Sequence, residues 1–472
     1  IDRAEERRVE LLKKNGYNAV RSSHYPPSPA FLDACDRLGL LVIDEAFDMW
    51  QKPKNPQDYH LFFDQDWKTD LSAMVLRDRN HPSVVLWSIG NEIQERADSS
   101  GLAIIRRFRP VIAELDATRP VTSAICAFWD NPGKKWSDAD ASFALLDVGG
   151  YNYQLSEYQK DHERAPGRIM VGTESFPNQA LENWDQVETY SYVVGDFVWT
   201  AIDYLGESGI GHTSCENETD DFAKPWPWFN AWCGDIDLVG DKKPQSYFRD
   251  IVWRRRPITV AVHTPLPEGC KERVFYWGWP DEVQSWTFPG QDGRLMDINL
   301  YSRASRVRLE LNGKVVGEKM IGKDDRLTAS FRIPYQPGRL TAVALENGKE
   351  AGRMELQTAG RPAAIRLTPD RKQIHSSRND LSYVRVEVVD ARGLVVPNAE
   401  IPVDFALSGP ATLVGVGNAS PSDMASFQQP RRKTFRGVCL LILRPQGKTG
   451  TVTVQAKATG LRAASATILI KQ

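Results

Sequence analysis

The sequence has no excess of charge of either sign, no long apolar run and no closely spaced pair of cysteines. Its 59 Lys and Arg residues face 61 Asp and Glu residues, which gives a formal net charge of −2. A balanced charge offers no general attraction for nucleic acid or for an anionic membrane. No apolar run approaches the roughly 20 residues that a membrane-spanning helix needs. The sequence therefore disfavours polyanion-binding proteins and membrane-spanning proteins.

The six cysteines are scattered along the chain, with no Cys-x-x-Cys pair and no tight group of histidines beside them. Zinc sites and disulfide frameworks usually show regular cysteine spacing. We therefore expect these cysteines to be small buried side chains. They are Cys35, Cys126, Cys215, Cys233, Cys270 and Cys439.

Aromatic residues are plentiful, with 14 Trp and 14 Tyr among 472 residues. Sugar rings stack on aromatic side chains while their hydroxyls form hydrogen bonds at the rim. Ordinary core packing accounts for most aromatic residues in any protein of this size. The count is therefore compatible with carbohydrate binding without establishing it, and the length predicts two to four domains.

Residues 1–256 alternate short β-branched runs with longer amphipathic stretches, which is typical of βα units on a parallel sheet. A helix is predicted over residues 3–15. Seven strands are predicted over residues 18–24, 40–46, 84–92, 120–125, 145–153, 169–175 and 196–204. A (β/α)8 TIM barrel closes with eight strands, and seven leave an open edge. We therefore expect the first strand to lie upstream of Ile1, in a segment of the same polypeptide that completes the barrel.

Beyond Pro257 the pattern changes to polar and apolar residues in alternation, which indicates β-strands. The dipeptides Asn312-Gly313 and Asn347-Gly348 are strong signals for tight hairpin turns. Two immunoglobulin-like β-sandwich domains are predicted, over residues 258–358 and 361–472, after a barrel domain of residues 1–256.

Two glutamates follow apolar strand-like runs within the barrel segment. The run VVLWSIG, residues 84–90, leads into Asn91 and Glu92, and IMVGT, residues 169–173, leads into Glu174. Residues at the C-terminal ends of parallel barrel strands converge on one mouth. A retaining glycosidase needs a protonated carboxylic acid and an ionised carboxylate about 5–5.5 Å apart there. A lone Glu is more often a surface group, but the matched pair predicts Glu92 as acid/base and Glu174 as nucleophile, with Asn91 binding the sugar's 2-hydroxyl.

Arg21 and His24 stand at the end of another predicted strand, before a proline-rich turn. A cation and an imidazole at the mouth can orient a carboxylate and bind sugar hydroxyls. A structural alternative is that Arg21 pairs with a neighbouring acid such as Asp44 or Glu45.

Two aromatic residues complete the predicted site. The hydroxyl of Tyr153 can donate to Glu174, which favours its charged form. Trp199 is a candidate stacking platform at the last strand, although an isolated Trp is more often part of the core.

Five motifs occur in the order and spacing of one known family: NGYNAVRSSHYP, GLLVIDEA, HPSVVLWSIGNE, VGTE and GDFVWTAIDYLGE. Over residues 1–256 the chain resembles the catalytic barrel of glycoside hydrolase family 2. The resemblance implies that Glu92 is the acid/base and Glu174 the nucleophile. It implies a sugar subsite lined by Arg21, His24, Asn91, Tyr153 and Trp199. It also implies a jelly-roll domain, a sandwich and the first barrel strand before this segment.

Two departures from the family bear on cofactor and substrate. Met49 and Gln51 stand where β-galactosidases of the family carry magnesium ligands, so no cofactor is expected to be required. The alternative is that Asp48 or another carboxylate replaces these ligands. No Asn-x-Lys motif, which grips the substrate carboxylate in β-glucuronidases, occurs in residues 1–256. Uronic acid substrates are therefore not expected.

An aromatic cluster of Trp226, Trp228, Phe229 and Trp232 lies in a stretch that resembles the β-galactosidases of polysaccharide-degrading bacteria. Trp228 is a candidate for the wall that contacts the leaving group. A packing role for the cluster is an equal alternative.

The resemblance implies a retaining exo-β-galactosidase acting on galactoside oligosaccharides or polysaccharides. The alternatives are a β-mannosidase, an exo-β-glucosaminidase or an α-L-arabinopyranosidase with the same chemistry, and a carbohydrate-binding protein. A periplasmic or secreted location and a homo-oligomer are expectations, with no nucleic acid or membrane partner.

Overall fold

The computed structural model describes residues 1–216 and 223–472. They form two compact units, one containing residues 4–199 and Asp2, the other containing residues from 200 to 472 with Ile1 and Arg3. The finer division into three domains stays a prediction. Within the described residues, every helix is too short or too polar to cross a lipid bilayer.

The first unit contains a parallel sheet of seven strands that neighbour one another in chain order. The strands are β1 Ala19–Arg21, β2 Leu41–Glu45, β3 Val84–Asn91, β4 Val121–Ile125, β5 Gly149–Asn152, β6 Met170–Ser175 and β7 Val193–Val198. The two edge strands, β1 and β7, approach each other within 8 Å between Cα atoms. The sheet is therefore a nearly closed barrel of the TIM type, and the predicted fold class is confirmed.

Helices alternate with these strands. They are α1 Asp2–Lys14, α2 Pro29–Leu38, α3 His60–Asp78, α4 Ser99–Leu115, α5 Asp140–Phe143, α6 Tyr158–Arg164 and α7 Ala180–Thr189. Both ends of α2 carry residues that favour a helix boundary. The Ser28 side chain accepts a hydrogen bond from the N–H of Phe31, and Pro29 is the first helical residue. Gly39 caps the other end with φ of 71°. Proline at a first helical position and glycine in the left-handed region at the end are both favourable.

Strand β3 shows why these runs are apolar. Seven of its eight residues are buried, because helices and the barrel interior cover both faces of a parallel sheet. The carboxyl ends are irregular: the register shifts between Ser88 and Asn91 in β3, and between Tyr151 and Asn152 in β5. Such irregularities redirect side chains and are common beside active sites.

The last strand of the sheet begins and ends earlier in the chain than predicted. Strand β7 covers Val193–Val198, rather than residues 196–204. After Val198 the chain leaves the sheet. Asp203 belongs to the second unit, where it is buried and contacts two other groups of that unit. Its carboxylate accepts from the N–H of Gly234 at 2.7 Å and pairs with Lys243 at 3.0 Å.

The second unit contains α8 Pro244–Val252 and nineteen described strands. The first ten are β8 Thr213–Cys215, β9 Ile258–His263, β10 Glu272–Val274, β11 Glu282–Val283, β12 Leu295–Ser302, β13 Arg306–Leu311, β14 Lys314–Met320, β15 Thr328–Pro334, β16 Arg339–Glu346 and β17 Lys349–Gln357. The others are β18 Ala364–Pro369, β19 Gln373–His375, β20 Ser382–Val389, β21 Pro402–Ser408, β22 Ala411–Gly417, β23 Arg431–Lys433, β24 Val438–Pro445, β25 Gly450–Lys457 and β26 Ala464–Lys471.

Four of their sheets build two sandwiches. Sheets of order β11-β9-β12-β15 and β14-β13-β16-β17 share one apolar core, and sheets of order β18-β20-β24-β22 and β19-β26-β25-β21-β23 share another. Both predicted hairpin turns are confirmed. Asn312 and Gly313 join β13 to β14 with φ of 52° and 78°, and Asn347 and Gly348 join β16 to β17 with φ of 51° and 76°.

The prediction that all six cysteines are unpaired was wrong for two of them. Cys215 and Cys270 form a disulfide across 55 residues of chain. The antiparallel pairing of β8 with β10, in which Cys215 stands opposite Glu272, brings them together. Cys35, Cys126, Cys233 and Cys439 are free and buried, as predicted.

Candidate active site

Glu92 and Glu174 both lie at the carboxyl ends of the barrel strands. Glu92 directly follows β3, and its N–H donates to the carbonyl of Ala124 in β4 at 2.8 Å. Its φ of 44° lies in the left-handed region, which is uncommon for a non-glycine residue and is often found at functional sites. Glu174 is the penultimate residue of β6 and is buried.

Glu174 is held by one cation and one hydroxyl. Arg21 Nη1 donates to its Oε1 at 2.8 Å, and the hydroxyl of Tyr153 donates to its Oε2 at 2.7 Å. Tyr153 has φ of 58°, and its N–H donates to the carbonyl of Glu174 at 2.8 Å. Both carboxylate oxygens thus accept a hydrogen bond that fixes the orientation of the side chain.

Arg21 connects the nucleophile candidate with a second buried carboxylate. Its Nε and Nη2 donate to the two oxygens of Glu45 at 2.9 and 2.8 Å. Burial by itself would lower the pKa of Arg21, but the charges of Glu45 and Glu174 raise it above the ordinary value. The pairing with Glu45 and the orientation of the site carboxylate, which the sequence left as alternatives, therefore occur together.

Glu45 also orients His24. Burial alone would raise the pKa of Glu45, but the charge of Arg21 and the hydrogen bond with His24 lower it to about 2. Nδ1 of His24 lies 2.9 Å from Glu45 Oε1, and Nε2 lies 3.3 Å from Asn91 Nδ2. These partners favour the tautomer in which Nδ1 carries the proton and Nε2 accepts.

His24 stacks face to face on Trp199, with ring centroids 5.1 Å apart and an interplanar angle of 3°. Trp199 is half-buried and lies directly after β7. The indole therefore meets a site residue across the gap between the two edge strands.

A chain of hydrogen bonds joins the two glutamates. Arg21, which holds Glu174, donates from Nη2 to Asn91 Oδ1 at 2.7 Å. Asn152 Nδ2 donates to the same oxygen at 3.2 Å and to Glu92 Oε1 at 3.0 Å. Asn152 is itself oriented by Thr173, whose hydroxyl donates to its Oδ1 at 2.7 Å.

The two glutamates have different electrostatic environments. Burial raises the pKa of Glu92, and the charge of Glu174 raises it further, while Asn152, Lys54 and His24 oppose the shift. A raised pKa suits a general acid, which must be protonated before it reacts.

All hydrogen-bonding positions of the Asn91 amide are used within the protein. Its Oδ1 accepts from Arg21 and Asn152, and its Nδ2 donates to Asp48 Oδ1 at 2.9 Å and faces His24 Nε2. An amide offers two donor and two acceptor positions. A sugar hydroxyl that bonds Asn91, as the sequence predicts, must therefore replace one of these partners.

The residues after β2 do not fit a magnesium ion. Asp48 Oδ1 is occupied by the ammonium of Lys54 at 2.6 Å. Met49 is a buried thioether, and Gln51 donates to Asp64 at 2.6 Å. Magnesium prefers carboxylate, carbonyl and water oxygens in octahedral geometry, and these side chains do not supply that set.

Trp228 lies in the second unit. Its ring contacts Trp232 edge to face with centroids 6.1 Å apart, and His212 at 6.0 Å. Its role beside a leaving group stays a prediction.

Two functional candidates, Asn152 and Lys54, were not predicted from the sequence, and Asp48 was predicted only as an alternative magnesium ligand. Asn152, Asp48 and Lys54 all contact predicted site residues or act on their charge. Asn152 could have been found as a polar residue at the end of a predicted strand, next to Tyr153. Asp48 and Lys54 lie in a loop, where no periodicity marks them.

Comparison with protein families agrees with this geometry. Residues 4–169 match the TIM barrel domain of glycosyl hydrolases family 2, and residues 365–467 match a glycoside hydrolase family 2 C-terminal domain. Residues 293–352 match a domain of unknown function. The chain is also 31% identical to a β-galactosidase of Bacteroides ovatus, over 98% of this chain and 58% of the relative.

The chain belongs to glycoside hydrolase family 2.

Two further proteins resemble the chain. A solved family 2 structure from Bacteroides cellulosilyticus is 44% identical, with a TM-score of 0.93, and the match covers 100% of this chain and 60% of that one. A provisionally named β-glucuronidase of Formosa agariphila is 27% identical over 95% of this chain and 45% of its own length. The chain spans about half of the length of these curated relatives.

Proposed function

We propose that the protein is a retaining exo-β-galactosidase. The observation that carries the proposal is the pair of strand-end glutamates with unlike environments: Glu174 is held by Arg21 and Tyr153, and Glu92 has a raised pKa. A nucleophile must be ionised and a general acid protonated in the same site. The name of the Bacteroides ovatus relative supports galactose as the sugar.

The proposed reaction has two displacements. Glu92 gives its proton to the glycosidic oxygen while Glu174 attacks the anomeric carbon, so the C–O bond to the leaving group breaks and an ester to Glu174 forms. Glu92, now ionised, takes a proton from water, whose oxygen attacks the same carbon and releases Glu174. Two inversions retain the anomeric configuration.

The charges of the site support a neutral sugar. With Glu92 protonated, the carboxylates of Glu45, Glu174 and Asp48 face two cations, Arg21 and Lys54, and both cations are already paired. A uronic acid would add a further negative charge to a site in which these carboxylates already outnumber the cations. This argues against the specificity named for the Formosa agariphila relative.

The assignment of roles is tested by replacing each glutamate with glycine and adding azide. Glu174→Gly with azide should give the α-glycosyl azide, since azide then attacks from the vacant nucleophile side. Glu92→Gly with azide should give the β-glycosyl azide. Without azide, loss of the general acid should lower kcat/KM for a sugar leaving group by roughly 10²–10⁴-fold, and loss of the nucleophile should lower it more.

Glu163→Gln is the matched control, because Glu163 is exposed on α6. It should leave the rate unchanged. Near-normal turnover by Glu174→Gly without azide would contradict the proposal. The sugar itself is tested with a panel of nitrophenyl glycosides, in which turnover of the mannoside and not the galactoside would overturn galactose.

We also propose that the protein works in the periplasm or outside the cell. The disulfide between Cys215 and Cys270 supports this location, since cytosolic thiols are kept reduced. Fractionation of the source cells, followed by an activity assay, tests it.

A further inference from the structure

We propose that Asp48 and Lys54 form a binding site for two neighbouring hydroxyls of the sugar that Glu174 attacks. This inference rests on the proposed glycosidase function and names two specificity-determining residues for it.

The pair lies beside both halves of the active site. Asp48 accepts from Asn91, which shares a hydrogen bond with Arg21, the residue that holds Glu174. The charge of Lys54 acts on Glu92. An ion pair in this position reaches a sugar whose anomeric carbon lies between the two glutamates.

The pair is also open to a ligand. The side chains of Asp48 and Lys54 are 21% and 23% exposed, whereas Arg21, Glu45 and Asn91 are buried. Partial exposure at the edge of a buried polar network is what a binding group needs. It distinguishes this pair from the groups that only support the site.

Each member of the pair keeps unused hydrogen-bonding capacity. Asp48 Oδ1 accepts hydrogen bonds from Asn91 and Lys54. The other carboxylate oxygen, Oδ2, accepts no hydrogen bond within residues 1–216 and 223–472. The Lys54 ammonium has three N–H donors, and within the same residues only the one directed at Asp48 is used. A free acceptor thus stands next to free donors.

This combination matches a pair of adjacent hydroxyls. A hydroxyl offers one donor and two acceptor positions, so one hydroxyl can donate to Asp48 Oδ2 while its neighbour accepts from Lys54. Because the Asn91 amide is saturated, the sugar needs other partners on this side of the site. Asp48 and Lys54 supply them without displacing a protein hydrogen bond.

The experiment compares singly deoxygenated β-galactosides with the parent galactoside, all with one leaving group. The wild-type protein should lose roughly 10–100-fold in kcat/KM for each hydroxyl bound by a charged group. In Lys54→Met, the parent substrate should lose a similar factor, and the penalty for removing the hydroxyl that Lys54 binds should disappear. Asp48→Asn should remove the penalty at the adjacent position.

Lys52→Met is the matched control. Lys52 lies on the same loop as Lys54, is 47% exposed and pairs with Asp98 at 2.5 Å. Within residues 1–216 and 223–472, its hydrogen bonds go to Asp98 and Glu95 and not to a site residue. It should keep the full set of penalties, and Lys54→Arg should keep most of them, because it retains the cation. Thermal melting of each variant checks that it is folded.

The inference is overturned if folded Lys54→Met and Asp48→Asn keep every wild-type penalty, or if Lys52→Met changes the same one. A wild-type protein that turns over no galactoside would instead refute the proposed function. If the glycoside panel shows another sugar, the deoxygenated series of that sugar gives the same test.

Discussion

In the proposed mechanism, the protonation of Glu92 sets the upper limit of the working pH range. Burial and the charge of Glu174 raise its pKa, so it stays protonated above the pH at which an exposed glutamic acid ionises. The acid form needed for leaving-group protonation then persists, and kcat/KM should fall only as the pH rises through the raised pKa. The same sign holds for stability: the contribution is present at low pH and is lost as Glu92 ionises in the folded protein.

The charge of Lys54 can be used to move this limit. Lys54 lowers the pKa of Glu92, and its removal also leaves Asp48 without a countercharge. Both effects favour the protonated acid, so Lys54→Met should shift the alkaline limb of the kcat/KM profile to higher pH. The measurement is kcat/KM as a function of pH for the wild-type protein and Lys54→Met, with Lys52→Met as the control. An unchanged limb, or an equal shift in Lys52→Met, would contradict the electrostatic argument.

The carboxyl ends of strands β4, β5 and β6 are closely packed beside the candidate site. Gly150 in β5 lies between β4 and β6, and an added Cβ would come within 2.5 Å of the Ser123 carbonyl and 2.9 Å of Thr173 Cγ2. Thr173 orients Asn152, which contacts Glu92. A methyl group here would therefore disturb the acid through two side chains.

Gly150→Ala should destabilise the protein by about 1–3 kcal/mol, as overpacking does, and should lower kcat as well. Denaturant unfolding and steady-state kinetics measure the two effects. Gly167→Ala is the control, because an added Cβ there meets nothing within 4 Å. If Gly150→Ala matched that control in both measurements, the close packing of the strand ends would be of no consequence.

The elements also show what sequence patterns can find. The seven strands were predictable because strands buried on both faces are apolar runs in the sequence. Both turns were predictable because their positive φ values favour Asn and Gly. The end of β7 was not, since the chain leaves the sheet to place Asp203 beside Lys243, a partner 40 residues away. The contact of Asp48 and Lys54 with the site was not predictable for a similar reason, because only the folded loop brings this ion pair to Asn91.

At the scale of the whole molecule, the disulfide constrains a long stretch of the second unit. Cys215 and Cys270 are 55 residues apart, and a cross-link of that span typically contributes about 2–4 kcal/mol. The double substitution to serine should therefore lower the thermal midpoint. Thiol titration of the denatured protein should find four free cysteines before reduction, and a count of six would show that the bond does not form.

The coupling between Glu92 and Glu174 has a consequence for the order of events. The charge of Glu174 is one of the causes that raise the pKa of Glu92. In the proposed reaction, esterification of Glu174 removes that charge, so the pKa of Glu92 should fall in the covalent intermediate. Formation of the proposed intermediate would therefore favour the change of Glu92 from the acid that protonates the leaving group to the base that takes a proton from water.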